Sequence, residues 1–174
     1  MKTEESIAKV IDRDICDNGE TYSRYKQRVK EGKPTRDENP ETHFCVYFLP
    51  YDSQSKKVFV IHHKKSGLWL SPGGHIDKDE TLLAALNREI GEELGIWRFF
   101  KSEPQPFLLT ITPIENLVQP CQSHYDIWYL LLTDGSNFNI DMQEFYAAKW
   151  LTIEAAREIV TDPSTLMAFQ RLQP

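Results

Sequence analysis

Long apolar runs are missing from this 174-residue chain. Its most apolar stretch, residues 127–132, falls far short of the about 20 residues a helix needs to cross a bilayer, so no membrane association is expected. The first residues, Met1-Lys2-Thr3-Glu4-Glu5, lack the basic start and apolar core of a secretory signal, and a cytoplasmic location is the expectation. Cysteine is scarce. Cys16, Cys45 and Cys121 are odd in number and show no CxxC spacing, which reads as free thiols in a reducing compartment and argues against zinc. Positive charge is also in deficit: 20 Lys and Arg stand against 26 Asp and Glu, a net charge of −6. A general nucleic-acid backbone binder would show a basic face instead.

What is present is an acidic helix of unusual pattern. Glu89, Glu92 and Glu93 are spaced so that, at about 100° per residue, all three lie on one side of a helix. Like charges at these spacings cost an isolated helix about 0.2–0.5 kcal/mol per pair. A sequence that accepts this crowding has a cation to offset it, and hard carboxylate oxygens suit Mg²⁺ or Ca²⁺. Leu83, Leu86, Ile90 and Leu94 form an apolar stripe on a neighbouring arc, so the same helix has a side for the core. A solvated charged face is the common reading of such a helix. The loop before it, Ser71-Pro72-Gly73-Gly74, changes that reading, because two glycines permit positive φ and let a backbone carbonyl turn toward an ion. Arg88 is the one cation among the acids, and its planar fork suits a carboxylate such as Glu80. Gly95 stands where a helix C-terminal glycine belongs.

Residues 74–96 resemble the Nudix box: Gly, five residues, Glu, seven residues, Arg-Glu, an aliphatic, any residue, Glu-Glu, any residue, Gly, an aliphatic. Gly74, Glu80, Arg88, Glu89, Ile90, Glu92, Glu93, Gly95 and Ile96 fill every fixed position without insertion. The surrounding strand pattern extends the likeness over residues 42–160. The resemblance implies an α/β (α+β) fold, an α/β/α sandwich with a mixed curved sheet. It also implies hydrolysis of a diphosphate linkage in a nucleoside diphosphate derivative or related small molecule, with Mg²⁺ or Mn²⁺ as cofactor. Carried over residue by residue, it makes Glu92 and Glu93 metal ligands with the Gly73 carbonyl beside them. Glu89 becomes a ligand or helps deprotonate the attacking water, while Glu80, Arg88 and Gly74 organise the site. Relatives often add a carboxylate from a distant loop. Glu144, before the final strand and six residues ahead of Trp150, is the candidate here, with Glu115 second. Two other readings stay open: a binding or sensor module that has lost chemistry, and an isoprenoid diphosphate isomerase, which would need a reactive cysteine such as Cys45.

The rest of the chain divides at residue 40. Before it, Ile7, Val10, Ile11 and Ile15, then Tyr22, Tyr25 and Val29, give two helical runs broken by Asp17-Asn18-Gly19, a helical hairpin preceding a catalytic domain at 41–174. That hairpin has three candidate uses: covering the sheet, capping the pocket or building a homodimer. The acids of residues 12–20 do not make a calcium loop, because Cys16 and Tyr25 fall where ligands belong. Strands are predicted over 43–49, 57–62, 107–112, 124–133 and 145–151, with a hairpin turn at 50–55 and helices over 152–160 and 163–172. His75 and Trp69 are candidate substrate contacts. Lys64 and Lys65 could meet phosphates, and Trp128 could stack on a base, though it and Trp150 read more simply as core. His124 and Asp126 share a strand face and could orient substrate, though they read more simply as a buried hydrogen-bonded pair.

Overall fold

Alternation along β1 (Thr42–Asp52) decides the layering of the molecule. Phe44, Val46 and Phe48 enter one apolar cluster and Leu49 the other, as the two-residue period of a strand dictates. The structure, a computed structural model, describes residues 2–114 and 120–173. β6 (Ser123–Leu132) runs parallel to β1 along its whole length. On the opposite edge of β1, β4 (Gly73–His75) pairs antiparallel with the first half, and β2 (Lys57–His63) with the end. β3 (Trp69–Leu70) and β7 (Phe145–Thr152) pair with β2, and β5 (Leu108–Pro113) with β6. The result is a mixed sheet with the path β3-β2-β1-β6-β5.

Helices cover both faces. α1 (Thr3–Val10), α2 (Gly19–Lys30) and α3 (Leu82–Leu94) share one core with Phe44, Phe59 and Tyr129. α4 (Ile153–Arg157) and α5 (Pro163–Leu172) pack on the other face against Val58, Val60 and Trp128. This is the layered α/β arrangement in which each sheet face buries against helices. Among the described residues, no helix is long and apolar enough to cross a membrane.

Local chemistry sets the element ends. α3 starts at Thr81, whose hydroxyl accepts from the Ala84 amide, and stops at Gly95 in the left-handed conformation. Its buried stripe begins at Leu82, whereas Leu83 is half-buried, a shift of one residue from the sequence expectation. The first helical run also breaks earlier than expected. Ile11 is extended, and Asp12 caps a short 3₁₀ turn over Arg13–Ile15, so Ile15 is not on the helix of Ile7. Asn18 then caps α2 by accepting from the Thr21 amide, which gives the acidic stretch a turn-and-cap role. Ile7 and Tyr25 are fully buried, so both helices cover the sheet. The hairpin turn is tighter than expected because Tyr51 and Asp52 remain in the ladder opposite Val58 and Lys57.

Candidate active site

Two glycines of β4 bring a carboxylate against bare backbone. Both lie in a short strand rather than in a loop. Gly73 has φ +143°, and a Cβ there would strike the Val46 carbonyl and come within 2.7 Å of Tyr47 Cα. A Cβ on Gly74 would lie 2.6 and 2.7 Å from the two Glu89 carboxylate oxygens. Any larger residue at 74 would displace that carboxylate, so the glycine is what admits it.

The acidic side of α3 is largely buried and is not the solvated face that such a helix commonly presents. Glu89 is 8% exposed and Glu93 4%, and only Glu92 is exposed. Burial raises the Glu89 carboxyl to about 7 despite the opposing pull of Arg88. Burial also lifts Glu93 well above the carboxylate range, and the charges of Glu89 and Glu144 add to it. The Gly73 amide donates to the Glu93 carboxylate, yet Glu93 Oε2 is buried with no hydrogen-bond partner. An uncompensated buried carboxylate costs several kcal/mol, and its usual partner is a cation. The donors gathered here are carboxylate and carbonyl oxygens, a set that fits a hard divalent ion.

Arg88 braces this arrangement and is fully occupied in doing so. Its Nε and Nη2 reach the two Glu80 oxygens at 2.9 Å each, and Nη2 also donates to the His75 carbonyl at 2.8 Å. Nη1 contacts Glu89 at 2.7 Å and Glu92 at 3.1 Å. One guanidinium therefore ties the helix to both the β4 strand and the turn of Glu80. Burial alone would raise the Glu80 carboxyl, but the Arg88 bond and the Asp77 amide hold it below its ordinary value.

Glu144 is exposed in the turn before β7, near enough for its charge to act on Glu93. Lys64 holds that turn instead of standing free for phosphates. Its Nζ donates to the Met142 carbonyl at 2.8 Å and the Gln143 carbonyl at 3.1 Å, and its amide donates to the Glu144 carbonyl. No short sequence pattern signals a lysine that reaches carbonyls so far along the chain. Glu115, the second candidate, lies outside the described residues.

The remaining candidates separate. Trp69 stacks on His62 with ring centroids 5.0 Å apart, and the Lys149 ammonium lies over the Trp69 ring, 5.0 Å from its centroid. Trp128 is fully buried, stacks on Tyr47 and donates to the Thr110 hydroxyl, which makes it core. Trp150 packs against Phe59 and Phe138. His124 and Asp126 share a face but take different partners, which corrects the expected pair. Asp126 accepts from Thr112 and, at 3.4 Å, from Thr110, while His124 lies against His43 and His75.

Burial pushes the Asp126 carboxyl up to about 8. A folded pKa raised above the unfolded value gives stability that is lost as pH climbs toward the folded pKa. The buried histidines work the other way. Burial lowers His43 and His124 to about 4 and His75 to about 3, so their contribution changes only below the ordinary histidine value of 6.5. Between pH 6.5 and 8 the carboxyls act alone. Stability of the metal-free protein is expected to fall there by on the order of 1 kcal/mol per pH unit for each of Glu89, Glu93 and Asp126 that stays protonated in the folded state. Urea titrations across that window should show this slope, and Asp126→Asn should reduce it while leaving the part that Glu89 and Glu93 contribute. An unchanged slope in the variant would remove Asp126 from the account.

Residues 41–169 match the family model of the NUDIX domain. Among curated proteins, the chain is 27% identical over 166 residues to Nudix hydrolase 10 of Arabidopsis thaliana, covering 79% of this chain and 55% of that protein. It is 29% identical over 125 residues to the m7GpppN-mRNA hydrolase NUDT17 of Xenopus laevis, covering 62% and 41%. The chain thus spans about half the length of these relatives, or less. Among solved structures, the Escherichia coli dihydroneopterin triphosphate pyrophosphohydrolase superposes with a TM-score of 0.57 at 20% identity, covering 74% of this chain and 92% of that one, a likeness of fold.

Proposed function

The chain belongs to the NUDIX family, and on that footing we propose that it is a pyrophosphohydrolase that cleaves a diphosphate linkage in a nucleoside diphosphate derivative or related compound, with Mg²⁺ or Mn²⁺ as cofactor. The observation that carries the proposal is the buried Glu89–Glu93 pair on the glycine strand, with one Glu93 oxygen lacking any partner. Similar proteins support the substrate class, since a cap hydrolase and a triphosphate pyrophosphohydrolase both carry phosphoanhydrides in their names.

In this reading Glu89, Glu92, Glu93 and the Gly73 carbonyl would hold the divalent ion, with Glu144 approaching from the far turn. When bound, such an ion neutralises charge on the diphosphate and acidifies the water that attacks phosphorus. Glu89, pressed against Gly74, is placed either to ligate or to take the proton from that water. The bare strand at Gly73 and Gly74 lets the strand backbone and the Glu89 carboxylate come close enough to share one ion. Glu80 and Arg88 act on chemistry only by keeping helix and strand in register. Glu80→Gln is therefore expected to cost about 1–2 kcal/mol of stability and about tenfold or less in turnover. Thermal melts and steady-state rates check this, and a turnover loss larger than that of Glu93→Gln would reverse the two roles.

The isomerase alternative lacks its nucleophile. Cys45 is fully buried, and burial pushes its thiol well above the ordinary value, the opposite of a reactive cysteine. Cys16, Cys45 and Cys121 are all free and buried, which suits a reducing compartment such as the cytoplasm. A panel of nucleoside triphosphates, nucleotide sugars, dinucleoside polyphosphates and capped RNA, incubated with Mg²⁺ or Mn²⁺, tests the activity by released phosphate or nucleotide. Cleavage of at least one member is expected. Tight binding without turnover across the panel would point to a sensor.

A further inference from the structure

The sheet register brings four nitrogen and sulfur donors together at one point. His43 and Cys45 are two residues apart on β1 and so share a face. His124 on β6 stands directly opposite His43, and His75 on β4 directly opposite Cys45. Their ligating atoms all lie within 4.8 Å of one another. We propose that His43, Cys45, His75 and His124 form a zinc site, distinct in its donors from the adjoining acidic site on α3, that ties β4 and β6 to β1.

A second observation points to a ligand. His43 is fully buried, and its Nδ1 lies 3.2 Å from the Asn39 carbonyl, which assigns the proton to that nitrogen. Its Nε2 is left as a bare lone pair, buried and with no hydrogen-bond partner. A ring whose far nitrogen is fixed by a carbonyl while the near one is free is the usual preparation of a metal-binding histidine. Three imidazoles and one thiol suit zinc and not Mg²⁺ or Mn²⁺, which prefer oxygen. Tetrahedral zinc brings donors to about 3.3–3.7 Å from one another. Rotation of His75 and His124, both half-buried, can supply that closure, and their side offers the entry path. The absence of CxxC spacing does not bear on this set, because the ligands come from three strands and meet only through pairing.

The test uses the intact protein, stripped of metal and titrated with Co²⁺ under reducing conditions, because cobalt bound to a thiolate shows a sulfur-to-metal charge-transfer band and tetrahedral ligand-field bands. About one Co²⁺ per chain is expected to give both bands, and one equivalent of Zn²⁺ to abolish them. Both bands should be lost in Cys45→Ser and sharply weakened in His124→Gln, whose half-buried position makes it the safer variant for folding. Circular dichroism of each variant confirms the fold. Glu93→Gln should leave the bands unchanged, so a failure of the hydrolase reading does not affect this result. No charge-transfer band in the parent, a band that survives Cys45→Ser, or a band lost with Glu93→Gln would each overturn the proposal.

Discussion

Glu93→Gln is expected to lower turnover of the best diphosphate substrate by about a thousandfold while making the metal-free protein more stable. Both effects come from one oxygen. Glu93 is buried, and its Oε2 has no partner, so in the absence of a cation the carboxyl is driven to its protonated form, and at neutral pH taking up that proton opposes folding. An amide of the same shape removes that cost, and a gain of about 1–3 kcal/mol is expected at neutral pH. For a chain of this size each kcal/mol moves the thermal midpoint by about 2–4 °C. With Mn²⁺ present the order should invert, because the parent gains stability from the ion and the variant gains little. Melts of both proteins with and without Mn²⁺, beside steady-state rates, check the crossing. Turnover within a few fold of the parent would show that Glu93 is no ligand.

Arg88→Lys, conservative in charge, is expected to damage the protein nearly as much as Arg88→Ala. The guanidinium makes contacts with Glu80, Glu89, Glu92 and the His75 carbonyl from three nitrogens fixed in one plane. An ammonium cannot span both Glu80 oxygens and the Glu89 carboxylate together. Breaking a brace of this kind costs about 3 kcal/mol, and turnover should fall about a hundredfold as Glu89 loses its place over Gly74. Chemical denaturation and kinetics of the two variants measure this. A lysine variant close to the parent would mean that charge alone matters at this position.

The sequence was most informative where function and local order coincide. Residues 74–96 reveal the acidic helix, its Gly95 stop and the Arg88–Glu80 partnership, because all of these depend on spacings of a few residues within one strand-helix unit. The helix over 163–172 is also legible, from Asp162 as cap and Pro163 at its first position. What pattern cannot show is long-range register. Periodicity says that Glu89 and Glu93 share a helix side, but not that the glycine strand covers that side and buries them. It places His124 beside Asp126, whereas the β5 ladder sets Thr110 opposite Asp126, with Thr112 reaching it diagonally, and the β1 ladder gives His124 to His43. The reach of Lys64 to the turn of Glu144 is equally invisible until β7 pairs with β2.

The most direct measurement is anomalous diffraction at the manganese edge from crystals grown with Mn²⁺ and a non-hydrolysable diphosphate analogue. A peak within coordination distance of the Glu93 carboxylate and the Gly73 carbonyl, with Glu89 beside it and the analogue's phosphates on the open side, is the expected result. Bound analogue with no manganese next to Glu93 would contradict the account.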